Sequence, residues 1–149
     1  TMNIISDLNS QEREVLSNFK YRKNKAVIHS DESVMPKNRK AWCSWNSSLN
    51  PTNNQQSSVT YWLNQLQNLK INKNIFLTIN PFFNINPALI YNMIDFTHPY
   101  YDEKALKNQS KLSSIQNINN TLYAGSYFGY GFHEDGIKSS IEMLKTLND

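Results

Sequence analysis

Apolar and polar residues alternate along much of the first 98 residues, and a period of two predicts β-strands. The alternation favours strands at Ala26–Ser30, Ala41–Asn46, Val59–Leu63, Ile75–Asn80 and Ile90–Thr97. In the second of these segments, the two tryptophans are expected on opposite faces. The polar stretch 47–58 is rich in Ser and Asn, and it predicts a loop.

A helical period replaces the alternation near both ends of the chain. Asn9 or Ser10 can cap a short helix with Glu12 in its first turn, and Asp102 can cap a helix that runs over 103–115. Asn86 followed by Pro87 also fits a helix start, but the alternation after it favours the strand.

The last 50 residues combine one more strand with a closing helix. The segment Thr121–Ser126 predicts a strand, and a helix is predicted over 134–147 because apolar residues repeat there at i, i+4 and i+7, namely at Ile137, Ile141 and Leu144. The elements together predict an α+β fold with a mixed or antiparallel sheet. We expect one portion over residues 1–98 and a second over residues 99–149.

Length and composition narrow the class of protein. The chain has 149 residues, of which 39% are hydrophobic and 12% aromatic, so it fits one domain or a piece of a larger one and can bury a core. The net charge is only +3 and the basic residues are spread out, so we expect no nucleic-acid partner. The basic stretches 20–25 and 37–40 are interpreted as solvated surface in preference to a contact with anionic lipid or nucleic acid.

Cysteine usage and hydropathy bear on the compartment. Cys43 is the single cysteine, so it can form no intrachain disulfide, and we interpret it as a buried core thiol. No run approaches the roughly 18 apolar residues of a membrane span, and the N-terminus does not resemble a signal peptide. The sequence therefore predicts a cytoplasmic protein without a transmembrane segment.

All four glycines lie between Gly125 and Gly136. The predicted strand, these glycines and the closing helix form a strand–turn–helix unit. The first turn of a helix leaves backbone N–H groups unpaired, and glycine lets a ligand approach the backbone, so such a unit can bind an anion or a dinucleotide cofactor. Gly136 lies in that first turn, where glycine costs roughly 1 kcal/mol relative to alanine. A tight loop that the fold itself requires explains the same glycines equally well.

The spacing matches neither G-x-G-x-x-G nor a phosphate-binding P-loop, so the chain does not predict a self-contained nucleotide-binding domain. His29 and Asp31 share a strand face but have no third ligand, so no metal site is predicted, and solvated strand-end positions are the favoured interpretation. The cluster at residues 133–135 is interpreted as helix capping and site framing, not as acid–base machinery. No residue is identified as a proton-transfer catalyst.

Five segments of the chain resemble a known family. They are YRKNKAVIHSDESVMPKNRKAWCSWN, VTYWLNQLQNL, INP, THPYYD and LYAGSYFGYGFHEDGIKSS. In this order they resemble the C-terminal part of the flavin-containing amine oxidoreductase-like proteins, in the bacterial branch of predicted NAD/FAD-binding proteins. The segment GSYFGYGFHEDG is the most specific of these matches.

The resemblance implies a role in closing an FAD site. In such enzymes, an N-terminal G-x-G-x-x-G unit holds the ADP half of FAD, a middle sheet forms the substrate domain, and a C-terminal strand–turn–helix completes the flavin site. The residues implied to bind the cofactor here are Gly125, Ser126, Tyr127, Gly129, Gly131, His133, Glu134, Asp135, Gly136 and Ile137. Aromatic residues on the predicted strands could line the substrate pocket, with burial in the core as the alternative; these are Trp45, Tyr61 and Trp62.

Two departures from the family pattern limit what the resemblance implies. Tyr127 stands where broader amine oxidases have an acidic residue that contacts the ribityl chain, and the N-terminal FAD-binding half is absent. The leading hypothesis is the C-terminal segment of an FAD-dependent oxidoreductase, inactive without that half, which a partner chain could supply. Its substrate would be a small molecule or a lipid acyl chain, and it could form homo-oligomers. The alternative is a non-catalytic binding or scaffold module left from a truncated or split flavoenzyme.

Overall fold

The fold is α+β and contains one five-stranded antiparallel sheet, which confirms the predicted class. The computed structural model describes residues 4–147. The strands are β1 (Lys20–His29), β2 (Trp45–Asn50), β3 (Asn53–Trp62), β4 (Phe76–Ile79) and β5 (Ile90–Tyr100), in the spatial order β2-β3-β4-β1-β5. The helices are α1 (Ser10–Leu16), α2 (Leu63–Leu66), α3 (Glu103–Gln109) and α4 (His133–Lys145).

The described residues divide into two compact units. The helical unit takes the residues up to Arg22 and those from His98 on, and the sheet unit takes Lys23–Thr97. The division at 97/98 lies one residue before the boundary expected from the sequence. The residues up to Arg22, however, join the C-terminal part of the chain because α1 packs there.

The core of the helical unit is built on α1. Its buried apolar side chains are Leu8, Val15, Leu16, Leu112, Ile115 and Tyr123. Asn9 caps α1, as predicted: its Oδ1 accepts the Glu12 N–H at 2.8 Å, and the Glu12 carboxylate accepts the Asn9 N–H at 2.8 Å. The same buried carboxylate accepts the Tyr123 hydroxyl at 2.8 Å. This network closes the first turn of the helix and ties it to a segment more than 100 residues later.

The sheet unit buries a polar row on one face of its strands. Thr78 of β4 lies between Thr60 of β3 and His29 of β1, with Oγ1···Oγ1 2.9 Å and Nε2···Oγ1 2.8 Å. Phe76, on the same face, is fully buried and packs against the His29 ring at 5.5 Å. Because each buried polar atom in the row has a partner, the row can stay inside the fold at little cost.

The strand predicted at Ala41–Asn46 was right only at its last two residues, where β2 begins, and the loop predicted at 47–58 was right only at the turn 51–52. Arg39–Ala41 forms a 3₁₀ turn, the next three residues are irregular, and the Cys43 N–H bonds to the Asn46 side chain at 3.1 Å instead of to a strand. The polar stretch forms the β2–β3 hairpin, with Trp45 opposite Tyr61 and Ser48 opposite Ser58. Its Ser and Asn residues carry little apolar signal, so pairing with the neighbouring strand decides their conformation.

The strand predicted at Thr121–Ser126 is also absent. Asn117, Asn119 and Asn120 adopt positive φ, which turns the chain, and a single isolated bridge joins Ile118 to Thr121. The backbone of Tyr123 pairs with the side-chain amide of Gln116 and not with a neighbouring strand. The amide accepts the Tyr123 N–H at 2.9 Å and donates to its carbonyl at 2.6 Å.

The predicted helices are confirmed with changed ends. Asp102 caps α3 through the Ala105 N–H at 2.8 Å, but α3 ends at Gln109, and residues 112–115 form a separate 3₁₀ turn. The segment Pro87–Leu89, capped by Asn86, is a single 3₁₀ turn that leads directly into β5. The helix start indicated by Asn86 and Pro87 and the strand indicated by the alternation after it thus both occur, one after the other.

Candidate functional site

The glycine-rich segment forms a turn and not a strand–turn–helix. Ser126–Phe128 is one 3₁₀ turn, and α4 begins at His133. The Asp135 carboxylate accepts the N–H groups of Tyr130 and Phe132, both at 3.0 Å, so it fixes the approach to the helix. This bears out the capping role expected for the acidic cluster.

The fold itself requires three of the four glycines. Gly125 and Gly131 have φ values of +155° and +96°, which disfavour side chains. A Cβ on Gly129 would collide with the Asp135 side chain. The tight-loop explanation therefore accounts for these positions.

Gly136 is different, because packing does not require it. A Cβ at this position would meet the Ser126 backbone nitrogen at 3.7 Å, an ordinary van der Waals distance, and the residue lies inside α4. Glycine therefore lowers the stability of α4 relative to alanine at this position, although no neighbouring atom requires the smaller residue. Contacts among the described residues therefore do not explain why this position is a glycine.

The start of α4 presents free donors beside this glycine. Within residues 4–147, the backbone N–H groups of His133 and Glu134 have no hydrogen-bond partner, and no side chain caps them. Their side chains are exposed. Free N–H groups at the start of a 13-residue helix carry a partial positive charge and favour an anionic or electron-rich group.

Two polar side chains hold the glycine-rich segment in place. Ser139 on α4 accepts the Gly125 N–H at 2.9 Å and donates to the Gly136 carbonyl at 2.8 Å. Gln109, at the end of α3, donates to the carbonyls of Tyr127 and Gly129 at 3.2 and 2.5 Å. Sequence reasoning missed both. The i, i+3, i+4 spacing of Gly136, Ser139 and Ser140 was the available sign that this face of α4 packs closely.

Tyr127 lies partly buried within the helical unit. Its ring meets Phe19 edge-on at 5.2 Å, and burial raises the pKa of its hydroxyl to about 12. The phenol therefore stays neutral over the physiological range. It cannot replace the acidic residue that the family pattern has at this position.

The ten predicted cofactor residues lie in the segment 125–137 of the helical unit, as their positions in the sequence require. Ile137 is 57% exposed, and the rest of the apolar stripe on α4, Ile141 and Leu144, is 52% exposed at both positions. The periodicity thus identified the helix correctly, but α4 packs through its opposite, small-residue face.

The aromatic candidates lie in the sheet unit and point to two different faces. Trp45 and Tyr61 are paired across β2 and β3 with ring centres 5.4 Å apart, and Trp45 is 65% exposed. Trp62 packs edge-on against Trp42 at 5.3 Å, and its indole N–H bonds to Asn74 at 3.0 Å. Trp62 is therefore a partly buried packing residue, whereas Trp45 and Tyr61 can meet a ligand.

The solvated interpretation of His29 and Asp31 was wrong. His29 is fully buried, and its Nδ1 accepts the Asp31 N–H at 3.1 Å. Burial lowers the pKa of His29, and the nearby Asp31 charge only partly opposes this effect. Burial alone would raise the pKa of Asp31, but N–H groups of Asn86 and Ser33 bond to its carboxylate and bring the net shift downward.

Three further expectations concern the surface. Cys43 is exposed, so its assignment as a core thiol was wrong: it lies in the irregular segment between the 3₁₀ turn Arg39–Ala41 and β2. The lysines and arginines of both basic stretches are exposed, as expected. In the described part of the chain, no group of three or more His, Cys, Asp or Glu residues could hold a metal ion.

Comparison with protein-family models finds no match, and comparison with curated proteins finds none either. Among residues 4–147, no helix is long and apolar enough to cross a membrane. The functional proposal therefore depends on the site and on the motif resemblance.

Proposed function

We propose that this chain is the C-terminal segment of an FAD-dependent oxidoreductase of the amine-oxidase-like class, which closes the flavin site with its glycine-rich segment. The observation that carries the proposal is Gly136: a helical glycine that packing does not require, beside two free backbone donors. The order of motifs along the chain supports the same class.

The residues present fit a flavin. His133 and Glu134 would donate their backbone N–H groups to an electron-rich edge, and Gly136 would leave room for it. The fixed turn from Gly125 to Gly131 would line the site without supplying a charge. When bound, the flavin supplies hydride acceptance, and this chain supplies backbone electrostatics and the wall of the site. A second chain carrying G-x-G-x-x-G would have to bind the ADP half of FAD. We also propose that the protein is bacterial and cytoplasmic.

The test is the visible absorbance of the purified chain, alone and co-expressed with a G-x-G-x-x-G chain encoded next to it. We expect a flavin band only after co-expression. Gly136→Ala should fold at least as well as the wild type, because it removes a helical glycine, and yet retain less flavin. Lys145→Ala, an exposed change at the other end of the same helix, should retain flavin normally.

A flavin band that survives Gly136→Ala unchanged would remove the role assigned to this glycine. A well-folded monomer with no band in either sample would exclude the oxidoreductase and favour a non-catalytic module.

A further inference from the structure

The buried ring of His29 is hydrogen-bonded at both nitrogens, in an arrangement that fits the neutral imidazole alone. Its Nδ1 accepts the Asp31 backbone N–H at 3.1 Å, and its Nε2 lies 2.8 Å from the Thr78 Oγ1. A ring nitrogen that accepts a hydrogen bond carries no proton, so the proton of the neutral ring is on Nε2 and is donated to Thr78. The Thr78 hydroxyl can then donate to the Thr60 Oγ1, which is 2.9 Å away.

Asp31 connects this ring to two other segments of the sheet unit. Its Oδ1 accepts the Ser33 N–H at 2.9 Å, and its Oδ2 accepts the Asn86 N–H at 2.8 Å. Asn86 caps the 3₁₀ turn that leads into β5, and Ile85 before it is only 8% exposed. The Asp31 carboxylate therefore holds the connection between β4 and β5, residues 80–89, against the end of β1.

Protonation of His29 is incompatible with this arrangement. The imidazolium carries a proton on Nδ1 as well, so two donors face each other and the bond from the Asp31 N–H is lost. The Asp31 carboxylate is the neighbouring group of opposite charge. Turning toward the imidazolium would take the carboxylate away from the N–H groups of Ser33 and Asn86.

We infer that His29 and Asp31 form a pH-sensitive switch: when His29 takes up a proton, Asp31 releases Asn86, and the connection 80–89 opens. The proton comes from solvent, and no other reactant is needed. This inference is independent of the proposed flavin site, because every residue of the switch lies in the sheet unit.

The groups around the ring leave Asp31 as the charge that acts on it. The side chains that β3 and β4 contribute to its surroundings are uncharged, namely Thr60, Thr78 and Phe76. Glu32 is exposed and accepts a hydrogen bond from the Asn74 side chain at 2.5 Å. At the start of β5, the Lys73 Nζ lies 5.0 Å from the centre of the Tyr91 ring, so these two groups interact with each other.

The pKa shifts agree with this geometry. Burial lowers the pKa of His29 below its ordinary value of 6.5, and the Asp31 charge opposes this effect only in part. The fold thus favours the neutral ring, so this stability is present above pH 6.5 and is lost as the pH falls through the folded-state pKa. The pKa of Asp31 is itself lowered, so its carboxylate is still charged when the ring titrates.

The first experiment measures the tautomer and the titration of His29 in the full chain by long-range ¹H–¹⁵N nuclear magnetic resonance. We expect the Nε2–H tautomer at neutral pH and a midpoint below 6.5. The exposed residues His98 and His133 are the internal references for the assay. A proton on Nδ1 at neutral pH, or a midpoint at or above 6.5, would overturn the inference.

The second experiment follows opening by hydrogen–deuterium exchange and mass spectrometry, corrected for the intrinsic effect of pH on exchange. As the pH falls through the His29 midpoint, exchange in the segment 80–89 should rise severalfold. The hairpin formed by β2 and β3 should keep its protection. Unchanged exchange at 80–89, or simultaneous loss of protection in the hairpin, would show that no local switch exists.

His29→Asn is the matched variant, because the Asn Oδ1 can accept the Asp31 N–H but does not titrate. We expect it to abolish the pH-dependent step at 80–89, whereas the exposed control His98→Asn should keep that step. Circular dichroism shows whether the variant has folded, and the wild-type titration decides the question by itself if it has not. A step that persists in folded His29→Asn would assign the opening to another group and contradict the inference.

Discussion

At the scale of single residues, the Tyr123–Glu12 bond is the clearest contribution to stability. Tyr123 is 3% exposed and Glu12 is 2% exposed, and the hydroxyl donates to the carboxylate. A hydrogen bond to a charged group contributes about 1.5–3 kcal/mol. We therefore expect Tyr123→Phe to lower the free energy of unfolding by about that amount at neutral pH, measured by urea titration with far-ultraviolet circular dichroism.

The same pair predicts a pH dependence. Burial first, and then the bond to Glu12, raises the pKa of Tyr123 above its ordinary value of 10.0. A raised pKa means that the fold favours the neutral phenol, so this stability is present below pH 10 and is lost as the pH rises through the folded-state pKa. The gap between wild type and Tyr123→Phe should narrow above pH 10. A gap that stays constant there, or an equal loss in the exposed control Tyr130→Phe, would contradict this account.

At the scale of elements, α4 contacts its unit through small polar residues. Ser139 is buried and accepts the Gly125 N–H, whereas Ile141 is 52% exposed. We expect Ser139→Ala to cost about 1–3 kcal/mol because it leaves a backbone donor without a partner. Ile141→Ser should change stability by less than about 0.5 kcal/mol. Thermal unfolding followed by circular dichroism compares the two, and a larger loss for Ile141→Ser would show that the apolar stripe is buried in solution.

The elements also show what the sequence could predict. Helix caps at Asn9 and Asp102 and the strand at Phe76–Ile79 follow from local signals, namely a capping side chain or strict alternation. The alternation identified the second half of β3, from Val59, and the first two residues of β2, but not the Ser- and Asn-rich remainder of the hairpin. Ser and Asn form strands only when a paired neighbour satisfies their backbone.

The candidate site was predictable in position but not in detail. The clustering of glycines located the segment, since all four glycines of the sequence lie in it. The sequence could not show that Gly129 is required by Asp135 whereas Gly136 is not, because this distinction depends on atoms brought together by folding.

At the scale of the whole molecule, large apolar side chains are exposed in both units. In the sheet unit, Trp45 and Leu49 are 65% and 68% exposed. In the helical unit the α4 stripe is more than half exposed. The strand β5, which is 11 residues long and lies mostly in the sheet unit, forms an edge of the sheet. Exposed apolar patches and long edge strands favour association with other chains.

We therefore expect the purified chain to associate as its concentration rises, measured by size-exclusion chromatography with light scattering. Replacing Ile141 and Leu144 together by lysine should weaken this association without unfolding α4, because both side chains face solvent in the folded chain. Lys138→Ala is the matched change outside the stripe and should leave association unaltered. If a partner chain carrying the FAD-binding half covers these surfaces, co-expression should replace self-association by a defined complex. A chain that stays monomeric at every concentration would instead favour an independent module. A segment that normally packs against an FAD-binding half should keep an exposed apolar surface, and such a surface favours association.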